Sequence, residues 1–259
     1  MVARFDQVLA TVKNETVEKA PDVEAEAKKN NPLLHLPFPL RLRVLNFAID
    51  PVTRPFFLKS SKGRKGSGLP LSPLACHSDT RFRLEALIVT IEKTTIEIHS
   101  GPANQGVQDW LSNIDFTVLG GDTGYVTGFD AVKSLCFPFF SRFPHKALLG
   151  YANNQDIVLM RRCKNLTTVC LTWVDEELTW RNGSYEYGAK SINRIRREYR
   201  LDDMLALDKL EHLSLGLRLT DLVSWTSSDV ARQALGDLRK WFDAEFAKRR
   251  ADGKKVVVN

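Results

Sequence analysis

In the second half of the chain one apolar pattern recurs three times: Val132-x-x-Leu135-x-Phe137, Leu166-x-x-Val169-x-Leu171 and Leu210-x-x-Leu213-x-Leu215. Each copy continues in alternation, to Phe139, to Trp173, and to Leu217 and Leu219. Apolar residues at every second position mark a strand with one buried face, because successive side chains point to opposite sides of a pleated chain. Thr94 to His99, with Ile96 and Ile98, reads as an earlier strand of the same kind. Helices fill the gaps. Asn153 or Asn154 can cap one that runs through Cys163, with Ile157, Met160 and Cys163 inward. Ser191 can cap another, with Ile192, Ile195 and Tyr199 on one face. The last helix spans about Ser227 to Arg250, capped by Ser227 or Ser228. Its stripe is Ala231, Ala234, Leu235, Leu238, Trp241, Phe242 and Phe246, and Lys248, Arg249 and Arg250 meet the negative end of its dipole.

Strand, helix and parallel strand in succession is the βαβ unit. Leu135 to Val169 is 34 residues and Val169 to Leu213 is 44. Leucine-rich repeats run about 20–29 residues. The expectation is therefore an irregular, few-stranded, mostly parallel α/β sheet with repeat-like stacking and a long C-terminal helix, not a true horseshoe. An ordinary α/β core with a coincidental pattern is the competing reading.

The N-terminal half has a different rhythm. In the stretch from Leu34 to Ile49, Pro37 and Pro39 sit where a helix begins, since proline suits the first helical turn and is excluded further in. Leu40, Val44, Leu45 and Ala48 then recur at helical spacing, leaving Arg41 and Arg43 for the rim. Asp50-Pro51 ends the helix, because a residue before proline is pushed out of the helical region. A helix this short is not stable alone, so it docks on its own chain or on a partner. A second helix, from about Ser78 to Thr90, uses Phe82, Leu87 and Ile91.

These two segments resemble paired motifs of a large group of fungal F-box-like proteins. The first motif runs Leu-x-Leu-Pro-x-Glu-Ile-Arg-x-x-Ile-Tyr-x-x-Ala-Leu, and Leu34, Leu36, Pro37, Leu40, Arg41, Val44, Ala48 and Ile49 fall on it. Pro39 stands in the acidic position and Leu45 in that of the tyrosine. The second runs Cys-Arg-Gln-Ile-Arg-x-Glu-Ala-Leu-x-x-Phe-Tyr-x-x-Asn-Thr-Phe-x-Phe and aligns with Asp79 to Ile98. Arg83, Glu85, Ala86, Leu87 and Thr95 agree with it, while Ile96 and Ile98 replace its last two phenylalanines. The resemblance implies F-box-like N-terminal helices and a substrate-receptor role in a cullin-type ubiquitin ligase. It also implies docking on a Skp1-type adaptor, with Leu36, Pro37, Leu40, Val44 and Leu45 as the partner-binding residues. The same side chains would serve equally as intramolecular core.

Around these elements the chain divides into a leader (1–31), the F-box-like segment (32–58), a basic Gly/Ser linker (59–70), the α/β repeat-like region (71–251) and a tail (252–259). Pro51 to Leu58 reads as a short extended piece anchored by Phe56 and Phe57. Hydrophobic content of 43% and charged content of 26% are ordinary for a soluble domain. No apolar run approaches a membrane span, and Met1 to Leu9 lacks a signal-peptide core, so a cytoplasmic or nuclear protein is expected.

The net charge of +6 comes largely from three groups. These are Lys59, Lys62, Arg64 and Lys65; Arg194, Arg196, Arg197 and Arg200; and Lys248, Arg249, Arg250, Lys254 and Lys255. They are dispersed and lack the interleaved aromatics of base-stacking modules, so nucleic-acid binding is only an alternative.

Candidate chemistry is sparse. Cys76, Cys136, Cys163 and Cys170 have no metal-ligand spacing and read as buried reduced thiols. Gly120-Gly121-Asp122-Thr123-Gly124 lacks the spacing and lysine of a phosphate loop and reads as a turn. His99 and His212 lie on expected strands, where they could meet at one edge of the sheet, with Cys76 or Asp175 as further metal ligands. Asp175-Glu176-Glu177 follows a strand, at the end where α/β sheets bind ligands. An enzyme or small-ligand site there is the alternative to an interaction module. Neither metal, cofactor nor catalytic residues are expected.

Overall fold

The computed structural model describes residues 32–49, 56–57, 80–120, 123–140, 154–182, 186–220, 225–249 and 255–259. The leader (1–31), the whole basic linker (59–70) and Cys76 lie outside this set. Six parallel strands form the main sheet: β1 (Phe56–Phe57), β2 (Thr95–Glu97), β3 (Ser134–Phe137), β4 (Thr168–Val174), β7 (His212–Arg218) and β8 (Val257–Val258). Strands β5 (Thr179–Asn182) and β6 (Glu186–Ala189) make a separate antiparallel hairpin.

The order across the main sheet is the order along the chain. A sheet wound in one direction never reverses, so crossovers of one hand fall on one side of it. The helices in those crossovers are α2 (Thr80–Lys93), α3 (Gly101–Asn113) with the short α4 (Gly128–Ala131), α5 (Gln155–Arg162), α6 (Asp175–Leu178) with α7 (Ile192–Tyr199), and α8 (Trp225–Arg249). Helix α1 (Phe38–Ala48) precedes them all.

The three apolar copies of the sequence are brought into register. Leu135 pairs with Val169 and Val169 with Leu213, while Phe137 pairs with Leu171 and Leu171 with Leu215. All nine side chains of the pattern are buried. The connections repeat as well. Thr168 donates its amide to the Lys133 carbonyl, and His212 repeats this one strand over with Thr167. The α/β reading, with a parallel sheet, N-terminal helices and a long C-terminal helix, is thus the observed fold.

The helix-covered face holds the core. Phe140, Trp173 and Tyr199 interlock there, with Phe140 stacked on Tyr199 at 5.5 Å and edge-on to Trp173 at 5.1 Å. Ile195 and Tyr199 of α7 and the Ala231–Phe246 stripe of α8 point inward as the periodicity predicts. Asn154 caps α5, its side-chain oxygen accepting from the Asp156 amide at 3.1 Å. Helix α8 begins at Trp225, ahead of the expected serine caps. The stretch read as a tail ends in the edge strand β8, where Val257 donates to Glu211 and Leu215 to Asn259. Among the described residues no helix is long and apolar enough to cross a membrane.

Candidate functional site

Helix α1 lies against α2 and divides its side chains between two environments. Leu45 and Ile49 join Phe82, Ala86 and Val89 in a small core of their own, with Leu33 and Leu42 packed on it. Beside that core Arg41 makes a bidentate pair with Glu85: Nε donates to Oε2 at 2.7 Å and a terminal nitrogen to Oε1 at 2.6 Å. A further Arg41 nitrogen donates to the Leu36 carbonyl. Arg41 is therefore not a rim residue. Two ions lose their hydration here, and only a fork-on-fork geometry offsets that loss. At the other end, Lys93 of α2 donates to the Ile49 carbonyl at 2.7 Å and to that of Asn46, placing a cation at the negative end of α1.

The opposite side of α1 carries exposed apolar side chains. Leu40 is 44% exposed, Val44 37% and Phe47 90%. These positions follow i, i+4, i+7 and so form one ridge along the helix. Of the five expected partner-binding residues, Leu40 and Val44 lie on the ridge. Pro37 is exposed and Leu36 half-buried at its start, and Leu45, 3% exposed, faces the fold. Phe47 completes the ridge. Extending Leu40 and Val44 by the helical step of three would have found it in the sequence.

The second candidate surface is the face of the sheet away from the buried one. Along β4 burial alternates strictly, with Val169, Leu171 and Trp173 inside and Thr168, Cys170, Thr172 and Val174 half-buried on the other side. Register sets rows of polar groups across this face. Thr95, Ser134, Thr168 and His212 form one row, in which the Thr95 and Ser134 hydroxyls meet at 3.0 Å. Glu97, Cys136, Cys170 and Ser214 form the next. Further along, His99 sits 3.0 Å from the Glu97 carboxylate. Phe139 lies between His99, at 5.7 Å, and the Arg218 guanidinium, at 4.8 Å.

Cys136 and Cys170 are thus half-buried on this face, which corrects the reading of every cysteine as a core thiol. Cys163 is a core thiol, and burial pushes its proton affinity up. A hydrogen bond with Cys136 favours the charged form of Cys170 more than burial opposes it, the Thr172 hydroxyl adds a smaller push the same way, and Cys170 is drawn down to about 7. Cys136 is shifted up, first by that same hydrogen bond, then by burial and by the negative charges of Cys170 and Glu97.

The geometry does not assemble the expected histidine edge. His212 opens β7 in the same row as Thr95, while His99 lies four residues beyond Thr95 and three strands away. Strand spacing and rise put them on the order of 20 Å apart. Asp175 is fully buried. It accepts from the Thr220 hydroxyl at 2.9 Å and from the Glu176 amide at 3.0 Å, tying the ends of β4 and β7 together. Among the described residues no three His, Cys, Asp or Glu side chains are grouped to hold a metal. The basic cluster of α7 is largely paired, Arg194 with Glu198, Arg196 with Asp202 and Arg200 with Asp203. The linker cluster lies outside the described residues.

Fold and site define a singly wound parallel α/β protein with a two-sided N-terminal helix. No family model, curated protein or solved structure matches the chain.

Proposed function

We propose that this protein is a non-catalytic interaction module of F-box-like type. The Leu40–Val44–Phe47 ridge of α1 docks on a Skp1-type adaptor, and the polar face of the sheet receives a protein target in the cytoplasm or nucleus. The observation that carries this reading is the division of α1. Its Leu45 side is committed to the fold, yet three large apolar side chains remain in water on the other. Short helices that bind grooves present anchors at this spacing. The Arg41–Glu85 pair adds support, since it joins the two segments on which the family resemblance rests.

The test is recovery of a purified Skp1 homologue by the full chain, beside a Leu40→Asp, Val44→Asp double variant. The folded state of both is checked by circular dichroism. Anchors buried at an interface centre weaken binding about tenfold or more when lost. Equal recovery by both proteins, or by neither, overturns the proposal.

A further inference from the structure

Cys136 and Cys170 are direct partners in the β3–β4 register, and both side chains lie on the same half-buried face. In-register residues on neighbouring strands lie about 4.8 Å apart. That is inside the roughly 4.4–6.8 Å between α-carbons that a disulfide spans. We propose that Cys136 and Cys170 form a dithiol site that exchanges with low-molecular-weight disulfides of the glutathione type and closes into a reversible bridge between β3 and β4. The inference is independent of what α1 binds.

The two sulfurs have distinct parts. The register lets either sulfur attack; Cys170, whose charged form the neighbouring Cys136 and Thr172 favour, is assigned the attack and Cys136 the resolving step. Gly216, opposite Thr172, makes room for that second donor, since a β-carbon there would lie 2.9 Å from the Thr172 hydroxyl. The Cys170 thiolate attacks one sulfur of the small disulfide. A Cys170–S–S–R bond forms, the original S–S bond breaks, and RS⁻ leaves and takes a proton from water. Cys136 then gives up its proton to solvent, and its sulfur attacks the Cys170 sulfur. The second RS⁻ leaves and is protonated. Two protein thiols lose two electrons and two protons, and the small disulfide becomes two thiols.

The bridge is a labile one. In-register β-carbons both point away from the sheet, farther apart than the roughly 3.8 Å of a relaxed disulfide. A bridge pulled across them is strained, and strained disulfides are the easily reduced ones. Cys163 is an internal control, because it is buried beneath the sheet and its thiol is held protonated.

The test is incubation of the dilute full chain with oxidised glutathione, trapping of free thiols, and peptide mapping after trypsin. The sequence separates the cysteines onto different tryptic peptides, 134–142 for Cys136, 163–164 for Cys163 and 165–181 for Cys170. The expected result is loss of two hydrogens, a 134–142/165–181 crosslinked peptide, and full reversal by dithiothreitol. In Cys136→Ser the first step is no longer resolved, so a glutathione adduct accumulates on Cys170, and in Cys170→Ser no crosslink forms. An unmodified pair at high glutathione disulfide, a stable adduct on the wild-type Cys170, or a bridge that uses another cysteine would each overturn the proposal.

Discussion

Replacing Glu85 by alanine removes the carboxylate that the buried Arg41 guanidinium grips at two points, and breaking such a buried pair destabilises by about 3–5 kcal/mol. An Arg41→Met, Glu85→Leu double variant is expected to recover most of that, because the desolvation cost disappears with the charges. Urea denaturation of the three proteins checks both outcomes. Leu45→Ala is expected to lose about 2–5 kcal/mol, whereas Phe47→Ala stays within about 0.5 kcal/mol by the same assay. The contrast separates the two sides of α1. The sequence told that α1 must dock, and the family resemblance placed Arg41 and Glu85 in motifs. Neither told that the pair is one contact, because residues 44 apart are joined only by tertiary structure. The thiol pair was closer to legible. Leu135-Cys136-Phe137 and Val169-Cys170-Leu171 are the same step of two aligned copies, so superposing the copies sets the cysteines opposite each other. At this scale pH matters too. Its partner Cys136 holds the folded Cys170 below an ordinary thiol, so the unfolded chain binds more protons between that lowered value and the ordinary one. Stability is expected to rise with pH across that window in the reduced protein, and to rise less in Cys136→Ala, as read by thermal unfolding at several pH values.

Among the elements, the strands with period-two alternation were the plainest, since alternation survives any crossover length. Helices α5, α7 and α8 were equally plain from their stripes. What escaped was short or paired late in the chain. The β5–β6 hairpin lies inside a crossover, and β8 is two residues whose only signal is the short run Val256-Val257-Val258. Strand β8 is held by hydrogen bonds along β7, Val257 donating to Glu211 at 2.8 Å and Asn259 to Leu213 at 2.9 Å. Val257→Pro removes one of these donors, and the freed β7 edge becomes a template for other chains. The expected outcome is loss of monodispersity on light scattering, with little change in the far-ultraviolet spectrum.

For the molecule as a whole, one face of the sheet builds the core and the described residues of the other stay mostly half-buried. Inward substitutions on β4 such as Trp173→Ala are expected to destabilise by about 3–5 kcal/mol, and Thr168→Ser on the opposite face within about 0.5 kcal/mol. The strand order carries a consequence of its own. Each strand of the main sheet hydrogen-bonds only to its neighbours in that order, so the ladder is a row of local links tied together by the core beneath it. Unravelling then proceeds inward from either rim, with amide exchange slowest in β3, β4 and β7. A lesion in β8 propagates to β7 and fades before it reaches β2.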